Sequence, residues 1–225
     1  MRRRLYLMRH AEVAYFDADG RPRRPADATL TAEGEGQATA ARDALGGITF
    51  DLVVTSGLAR TDETARIVAD GIEPDGRPEL EELRSGSLAA IADEEVEAAF
   101  LHAFHSVVPE EARFLGGESV GELFDRVLPA LERLLAEEWD SALAVLHGGV
   151  NRALLSYALT GRRLFLGPLE QAPGCINVLD VGDDWIVRTI GWTPYDPTHH
   201  DRRTTTMEEL YGQYAPYRAR GKERS

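Results

Sequence analysis

The chain has very little cysteine, since Cys175 is the only one among its 225 residues. A single thiol excludes an intrachain disulfide and argues against a cysteine-rich metal site. It is typical of a protein that is kept in a reducing compartment. Long hydrophobic runs are also missing, and no stretch approaches the roughly 20 apolar residues of a membrane-spanning helix. These absences predict a cytoplasmic protein without a membrane partner.

Positive charge is scarce as well, with 25 Lys and Arg against 38 Asp and Glu and a net charge of −13. Such an acidic chain is a poor match for nucleic acid or for an anionic membrane surface. A site for an anionic substrate must therefore be a local cationic pocket in a negative body. Arginines that cluster at the ends of predicted strands are informative for this reason.

Strand-like and helix-like patterns alternate along the chain. Strands are predicted at 4–8, 50–56 and 141–147, with a short extended piece at 78–83 and a hairpin formed by 175–181 and 185–192. Helices are predicted at 32–45, 59–72, 91–105, 120–138 and 150–161, with a short one around 207–214. This order predicts an α/β sandwich with a mostly parallel sheet and helices on both faces.

No internal repeat and no Pro/Gly/Ser-rich linker divides the chain. We therefore expect one domain over residues 1–192, followed by a C-terminal extension over 193–225. The extension is polar and rich in Tyr and Arg, and we expect it to be partly helical or disordered.

Polar residues follow each predicted strand, where ligands bind in open α/β sheets. They are Arg9, His10 and Glu12 after the first strand, Ser56 and Arg60 after the second, Glu82 and Arg84 after the extended piece, and His147, Gly148 and Gly149 after the 141–147 strand. Two histidines, two arginines and a carboxylate thus stand where one cleft can gather them.

This set of side chains suits phosphoryl transfer without a metal or other cofactor. Guanidinium groups match the oxygens of a phosphoryl group. A neutral imidazole can attack phosphorus, and a second histidine can stabilise charge on the transferring oxygens. A carboxylic acid can protonate the leaving group and later activate water. Helix N-termini after Ser56 and His147 add N–H groups for an anion.

Each residue alone has an ordinary explanation. Arg60 fits a surface position at the start of a helix, and His147 fits a helix cap or the core. Glu79 and Glu81 are as plausible as Glu82, because all three lie in the segment "ELEEL". The common placement at strand ends is what favours a site.

Six ordered segments between residues 4 and 192 resemble the histidine phosphatase superfamily, which has the phosphoglycerate-mutase-like fold. They are "LMRHAEV", "LTAEGEGQATAA", "VVTSGLARTDETARIVA", "LEELRSG", "GGESVGELFDRVLPALERL" and "LAVLHGGVNRALL". The first is similar to the family signature Arg-His-Gly-Glu-Thr. The resemblance implies a three-layer sandwich and a phosphohistidine mechanism.

The resemblance also implies roles for six residues. It assigns catalysis to His10, Glu82 and His147, and phosphate binding to Arg9, Arg60 and Gly148. His10 would be the phosphorylated nucleophile, and His147 would complete the pocket. Glu82 would be the general acid and base, because it stands two residues after Leu80 and four before Gly86.

Three positions depart from the family signature. Ala11 stands in place of the usual Gly, and Val13 in place of the usual Thr, with the loss of a hydroxyl. Phe16 stands where some members place an Asn that contacts phosphate. The extension beyond residue 192 matches no segment of the family.

Three functions stay open at the level of sequence. The mutases of the family carry a longer insert than the roughly 34 residues that separate Glu82 from Gly117 here. This spacing favours a phosphatase that hydrolyses small phosphorylated substrates over a phosphoglycerate-mutase-type enzyme. The departures at Val13 and Phe16 favour a third function, a catalytically weak member that binds phosphate or protein.

The segments that flank the cleft leave specificity undetermined. Arg21, Arg23 and Arg24, in the loop over 15–28, either meet a second anionic group or are simply solvated. Phe100, Phe104 and Phe114, in or beside the segment over 87–113, form either an apolar wall or ordinary core. The tail tyrosines, Tyr211, Tyr214 and Tyr217, either pack over the cleft or form a contact in a homodimer.

Overall fold

A six-stranded sheet forms the centre of the protein in a computed structural model that describes residues 2–24, 26 and 28–222. Its strands, numbered along the chain, are β1 (Arg3–Arg9), β2 (Leu52–Thr55), β3 (Asp75–Gly76), β5 (Ser141–Leu146), β7 (Ile176–Val181) and β8 (Trp185–Trp192). They lie in the order β3-β2-β5-β1-β7-β8. A separate ribbon pairs β4 (Val107–Val108) with β6 (Phe165–Leu166).

The pairing of the strands brings the first and fifth strands side by side. β1 pairs in parallel with β5 and antiparallel with β7, while β2 pairs in parallel with both β5 and β3. β7 and β8 form the predicted hairpin. Arg9, the last residue of β1, is in register with Leu146, the last residue of β5. The chain therefore leaves both strands at one edge of the sheet, immediately before His10 and His147.

Helices cover both faces of the sheet. The helices are α1 (Ala32–Leu45), α2 (Ala59–Val68), α3 (Val96–Leu101), α4 (Val120–Ala136), α5 (Gly148–Thr160) and α6 (Thr206–Lys222). One buried cluster joins α4 and α5 to one face of the sheet, and another joins α1 and α2 to the opposite face. This arrangement confirms the predicted three-layer α/β sandwich. No helix in the described part of the chain has the length and apolar character needed to cross a bilayer.

The long helix α4 is set by its cap and by its apolar stripe. The Ser119 hydroxyl accepts a hydrogen bond from the Glu122 N–H at 3.1 Å, and the Glu122 carboxylate accepts one from the Ser119 N–H at 2.8 Å. This reciprocal pair satisfies two donors at the helix start. Leu123, Val127 and Leu134 recur at helical spacing and are buried against the sheet.

Helix α1 packs directly on the loop that follows β1. Thr31 caps α1 by accepting a hydrogen bond from the Gly34 N–H at 3.0 Å, and its own N–H donates to the Glu12 carbonyl at 3.1 Å. A Cβ at Gly34 would lie 2.2 Å from the Glu12 oxygen. Only glycine permits this approach, which fixes the path of the chain just beyond His10.

Three elements differ from the sequence-based predictions. Residues 78–83 were expected to be extended, but Pro78–Leu80 is a 3₁₀ turn, because Pro78 fixes the first φ angle of that turn. The helix expected over 91–105 is confined to α3, and the chain turns at Ser106, which has a φ of 55°. The terminal helix α6 extends well beyond the predicted 207–214. The part of the C-terminal extension over 223–225 and loop residues 25 and 27 lie outside the described residues.

Candidate active site

The structure brings the rings of His10 and His147 into contact. Their centroids are 5.2 Å apart and their planes are inclined by 64°. Both residues are buried, at 1% and 0% exposure. The contact follows from the parallel pairing of β1 with β5, since each histidine is the first residue after its strand. One tetrahedral anion can touch two rings at this separation.

Hydrogen bonds define the proton positions on the His10 ring. Nδ1 lies 2.7 Å from the Ala11 carbonyl oxygen, which can only accept, so Nδ1 carries the ring proton. Nε2 lies 3.2 Å from the Tyr15 hydroxyl and accepts its hydrogen bond. The lone pair of Nε2 is therefore available for attack on an electrophile.

The His147 ring has the opposite arrangement. Its Nδ1 lies 3.4 Å from Nη2 of Arg60. Because a guanidinium group can only donate, Nδ1 accepts a hydrogen bond from it. Its Nε2 then carries the proton and donates to the Ser56 hydroxyl at 2.8 Å. Ser56 is further held by Thr61, with 3.1 Å between the hydroxyl oxygens. Ser56 thus orients the second histidine.

Burial keeps both imidazoles neutral. Burial, and after it the charges of Arg9 and Arg60, lowers the pKa of His10 well below its ordinary value. Burial, His10 and Arg60 lower the pKa of His147 in the same way. A neutral His10 retains its nucleophilic lone pair at neutral and mildly acidic pH.

Arg9 contributes a buried guanidinium at the end of β1. Its Nη1 donates to the Gln171 carbonyl at 2.5 Å and to the Thr206 hydroxyl at 3.3 Å. Its Nε, also buried, has no hydrogen-bond partner among the described residues. A Cβ built on Gly148 would lie 3.6 Å from this Nε, so the unpaired N–H is near the start of α5. A buried unpaired donor of this kind is suited to an anionic ligand.

Arg60 is a buried residue and not the surface arginine that its helix position alone suggests. It lies in the first turn of α2, and only 1% of it is exposed. Its guanidinium reaches His147, so it stands at the same edge of the sheet as Arg9 and His10. Two guanidinium groups and two neutral imidazoles therefore converge at this edge.

Glu82 is held against the start of α5. Its Oε1 accepts hydrogen bonds from the Gly149 N–H at 3.0 Å and from the Leu83 N–H at 2.8 Å. A Cβ at Gly149 would lie 2.7 Å from this oxygen, so glycine is required for the contact. Gly148 is the first residue of α5, where main-chain N–H groups and the helix dipole favour an anion.

Arg126 fixes the chain segment that carries Glu82. Its guanidinium donates to the carbonyl oxygens of Glu79, Glu81 and Glu82 at 2.7–3.0 Å. It also forms a bidentate ion pair with the Glu118 carboxylate, with N–O distances of 2.7 and 2.8 Å. Among the glutamates of "ELEEL", Glu82 is the one that reaches α5.

The three departures from the signature have distinct local roles. The Ala11 N–H donates to the Thr64 hydroxyl at 3.1 Å, and Val13 forms a bridge with Leu30. The Phe16 ring stacks on Tyr214, with centroids 5.9 Å apart. Phe16 therefore takes part in an aromatic contact with the terminal helix where an Asn would offer an amide.

Sequence reasoning did not find Tyr15, Gln171 or Thr206. No local pattern marks them. Gln171 and Thr206 reach Arg9 through tertiary contacts, and Tyr15 reaches His10 because the loop after β1 turns back toward it. Ser56 was noted at a strand end, but nothing in the sequence indicated its partner. The single cysteine, Cys175, is buried, and burial raises the pKa of its thiol to about 12, so it is not a nucleophile here.

A cavity of about 790 Å³ adjoins these groups, and His10 itself lines a neighbouring cavity of about 280 Å³ that shares Arg9, Tyr15, Thr206 and Leu210 with it. The lining of the larger cavity includes Arg9, Arg60, Glu82, Gly148 and Gly149. A phosphoryl group placed here would meet cationic donors, a main-chain N–H and a carboxyl group. The geometry supports nucleophilic attack on phosphorus with acid–base assistance.

The chain is similar in sequence to proteins from plants and bacteria. It is 33% identical to wheat (Triticum aestivum) 2-carboxy-D-arabinitol-1-phosphatase, in a match covering 79% of this chain and 37% of that protein. It therefore spans less than half the length of this plant relative. It is 34% identical to the Serratia proteamaculans protein named "probable phosphoglycerate mutase GpmB", over 92% of this chain and 98% of that one.

Solved structures share the fold. A mycobacterial glucosyl-3-phosphoglycerate phosphatase in complex with VO3 matches with a TM-score of 0.68 and 25% identity, over 84% of this chain and 98% of that one. A structure named mycobacterial hydrolase 1 matches with a TM-score of 0.72 at 24% identity, over 86% of this chain and 100% of that one. The model of the histidine phosphatase superfamily, branch 1, matches residues 5–193. The chain belongs to the histidine phosphatase superfamily, as the six sequence segments predicted.

Proposed function

We propose that this protein is a metal-independent phosphatase that hydrolyses small phosphomonoesters through a phosphohistidine. The observation that carries the proposal is the state of His10. Its imidazole is buried and neutral, with the Nδ1 proton directed to a backbone carbonyl and the Nε2 lone pair available. Arg9 and Arg60 supply positive charge beside it. Family membership supports an enzyme that acts on phosphate esters.

In the first step, Nε2 of His10 attacks phosphorus, and the bond between phosphorus and the ester oxygen breaks. Arg9, Arg60 and the N–H of Gly148 would hold the phosphoryl oxygens. Glu82, in its protonated form, would give its proton to the leaving alkoxide, so that the free alcohol departs. His147 lies against the His10 ring and would stabilise charge on the transferring group when its Nε2–H, which donates to Ser56 in the free protein, turns to a phosphoryl oxygen.

In the second step, water attacks the phosphohistidine. Glu82, now a carboxylate, would take a proton from that water, and the bond between phosphorus and Nε2 breaks. Inorganic phosphate leaves, and His10 is again a neutral imidazole. The hydrogen bond from the Gly149 N–H keeps the Glu82 carboxyl at the cavity wall in both steps.

The test is hydrolysis of p-nitrophenyl phosphate in the presence of EDTA by the wild type, His10→Ala and His200→Ala. His200 is an exposed histidine that lines neither the cavity beside His10 nor the one beside Arg60, and it serves as the matched control. We expect turnover by the wild type and by His200→Ala, and a loss of at least 1,000-fold in His10→Ala. Equal turnover by the His10 variant would refute the proposal.

A phosphoenzyme assay distinguishes a phosphatase from a protein that binds phosphate but does not catalyse its transfer. Rapid quenching into alkaline SDS, which preserves phosphohistidine, should trap labelled protein in the wild type and none in His10→Ala. A protein that binds phosphate but never becomes labelled during incubation with substrate would fit the catalytically weak alternative instead.

The mutase alternative is supported by the name of the full-length Serratia relative. It predicts that phosphoryl transfer between glycerate positions exceeds the release of inorganic phosphate. Incubation with 3-phosphoglycerate and a trace of the bisphosphorylated acid separates the two functions. We expect phosphate release to dominate, because the roughly 34 residues between Glu82 and Gly117 are fewer than the insert that the mutases of the family carry there.

A further inference from the structure

The 790 Å³ cavity adjoins the anion site, by which we mean Arg9, Arg60 and the Gly148 N–H. The cavity has two chemically different ends. One end carries the phosphate-binding groups described above. The other is lined by apolar and aromatic side chains, among them Phe16, Leu88, Phe104, Met207, Leu210 and Tyr214. The volume lies in the range of pockets that enclose a small organic ligand.

Helix α6 builds one wall of the apolar end. Met207, Leu210, Tyr214 and Tyr217 recur at intervals of three and four residues, so they share one face of the helix, and all four line the cavity. The apolar wall begins immediately beside the anion site. Thr206, the residue before Met207, contacts Arg9 through its hydroxyl.

A polar network anchors the start of α6. The Thr206 hydroxyl and N–H donate to Oε1 of Glu170 at 2.7 and 3.1 Å. Oε2 of Glu170 accepts from buried Arg152 at 2.9 Å, and Arg152 also donates to the carbonyls of Gly148 and Gly167. The position of the apolar wall is thereby tied to the first turn of α5.

The opposite wall comes from the segment that leads through α3 to α4. Phe100 stacks on Tyr214 with centroids 5.8 Å apart, and Phe104 stacks on Phe114 at 5.5 Å. Arg218 links α6 to this segment through the carbonyls of Leu88 and Ile91, both at 2.6 Å. The sequence assigned Phe100, Phe104 and Phe114 either to an apolar wall or to the core. In the structure they line the cavity and also pack in a hydrophobic cluster.

Several polar residues line the cavity beyond the anion-binding groups. Arg23, Arg84, Ser85 and Ser87 are exposed to solvent. Buried Arg152 lies over the Phe104 ring, but it already donates to Gly148, Gly167 and Glu170, and the Tyr214 hydroxyl already pairs with Arg218. A sugar or glycerate in the apolar part would bury hydroxyl groups without partners, at a cost of about 1–3 kcal/mol each by general estimates. A hydrocarbon group would instead gain from burial.

We infer, on the basis of the proposed phosphatase function, that the substrate is a phosphomonoester of an apolar alcohol. Its phosphate binds at His10, Arg9 and Arg60, and its alkyl or aryl group is enclosed between α6 and the segment over 88–115. Specificity therefore resides in the terminal helix and in the aromatic wall that faces it.

The experiment is a series of n-alkyl phosphates (ethyl, butyl, hexyl and octyl) with glycerol 3-phosphate as the polar reference. Butyl, hexyl and octyl phosphate have leaving alkoxides of nearly equal basicity, so differences among them report contacts and not chemistry. We expect kcat/KM to rise about two- to fourfold per added methylene up to hexyl phosphate. Hexyl phosphate should exceed glycerol 3-phosphate by at least about tenfold.

Leu210→Trp places a larger side chain in the apolar end, and Leu159→Trp on α5 is the matched control. Leu159 is 46% exposed and does not line the cavity. The Leu210 variant should flatten the rise from ethyl to hexyl phosphate, whereas the Leu159 variant should retain it. Thermal melting of both variants checks that they are folded, and the wild-type series stands on its own if Leu210→Trp does not fold.

Two results would overturn the inference, and they are distinguishable. If ethyl phosphate and p-nitrophenyl phosphate are hydrolysed but the alkyl series is flat, the apolar site is refuted while the phosphatase proposal stands. If no ester is hydrolysed and no phosphohistidine is trapped, the phosphatase proposal fails and this inference fails with it.

Discussion

The hydroxyl of Tyr15 lies 3.2 Å from Nε2 of His10 and donates a hydrogen bond to the nitrogen that we assign as the nucleophile. A phosphoryl group that binds to this nitrogen must displace the hydroxyl. The free protein therefore holds its nucleophile in a hydrogen bond that is lost when the substrate binds.

Tyr15→Phe should strengthen phosphate binding. The variant no longer has to give up this hydrogen bond, whose net value is about 0.5–1.5 kcal/mol. The inhibition constant of inorganic phosphate against p-nitrophenyl phosphate is therefore expected to fall by about 2- to 10-fold.

Tyr157→Phe provides the control, because Tyr157 packs against the core on α5 and does not line the cavity. Its inhibition constant should match that of the wild type. Weaker phosphate binding in Tyr15→Phe would mean that the hydroxyl binds the anion directly and would contradict this interpretation.

Mild acid should destabilise the fold through His10 and His147. Their pKa values are lowered by burial and by nearby positive charge, so below pH 6.5 the unfolded chain takes up protons that the folded protein does not. Stability is therefore lost as pH falls below the unfolded value. Between pH 6.5 and 5.5 the free energy of unfolding should decrease by about 1 kcal/mol per histidine, or about 2 kcal/mol in all.

Urea unfolding at several pH values measures this loss. His10→Asn should show about half of the histidine contribution, because one titrating group is removed. His200→Ala, which alters an exposed histidine, should show the wild-type pH dependence. The same slope in all three proteins would exclude the two buried imidazoles as its source.

Sequence patterns predicted the sheet, the principal helices and the strand-end residues, because these depend on local periodicity. The parallel pairing of β1 with β5 brings His10 and His147 together, as their positions at the ends of predicted strands indicated. The roles of His10, Glu82, His147, Arg9, Arg60 and Gly148 remain predictions until the variants are assayed.

The parts that the sequence did not predict depend on long-range contacts. Thr206 lies 197 positions from Arg9, and its contact arises only because Glu170 and Arg152 anchor the start of α6. The length of α6 was underestimated because its stabilising partner, the aromatic wall around Phe100, lies in a distant segment. A sequence pattern reveals the amphipathic spacing of a helix, but it does not show which surface of the protein will bury the apolar face of that helix.

Gly149→Ala should impair Glu82, the general acid that we propose, without unfolding the protein. The new Cβ would lie 2.7 Å from Oε1 of Glu82, the far end of a flexible side chain, which can move aside. Because Glu82 would then no longer be aligned with the leaving oxygen, kcat for alkyl phosphates should fall about 100-fold. Turnover of p-nitrophenyl phosphate, whose leaving group needs little protonation, should fall much less.

Gly36→Ala is the control for the glycine substitution. Gly36 lies within α1, and a Cβ there would meet no atom within 4 Å. It should stabilise the helix by about 0.5–1 kcal/mol and leave both activities unchanged. An equal loss of activity toward both classes of ester in Gly149→Ala would show that Glu82 does not act on the leaving group.

Arg126→Met should destabilise the fold and also slow catalysis. The substitution leaves the buried Glu118 carboxylate without its partner and removes the donor that holds the carbonyl of Glu82. Breaking such a pair from one side costs about 3–5 kcal/mol, measurable as a lower urea midpoint. Arg133→Met is the control. Arg133 lies seven residues after Arg126 on α4 and forms an exposed ion pair with Glu79, so its loss should change stability by less than about 1 kcal/mol. If Arg126→Met kept full kcat/KM under folding conditions, the position of Glu82 would not depend on this guanidinium.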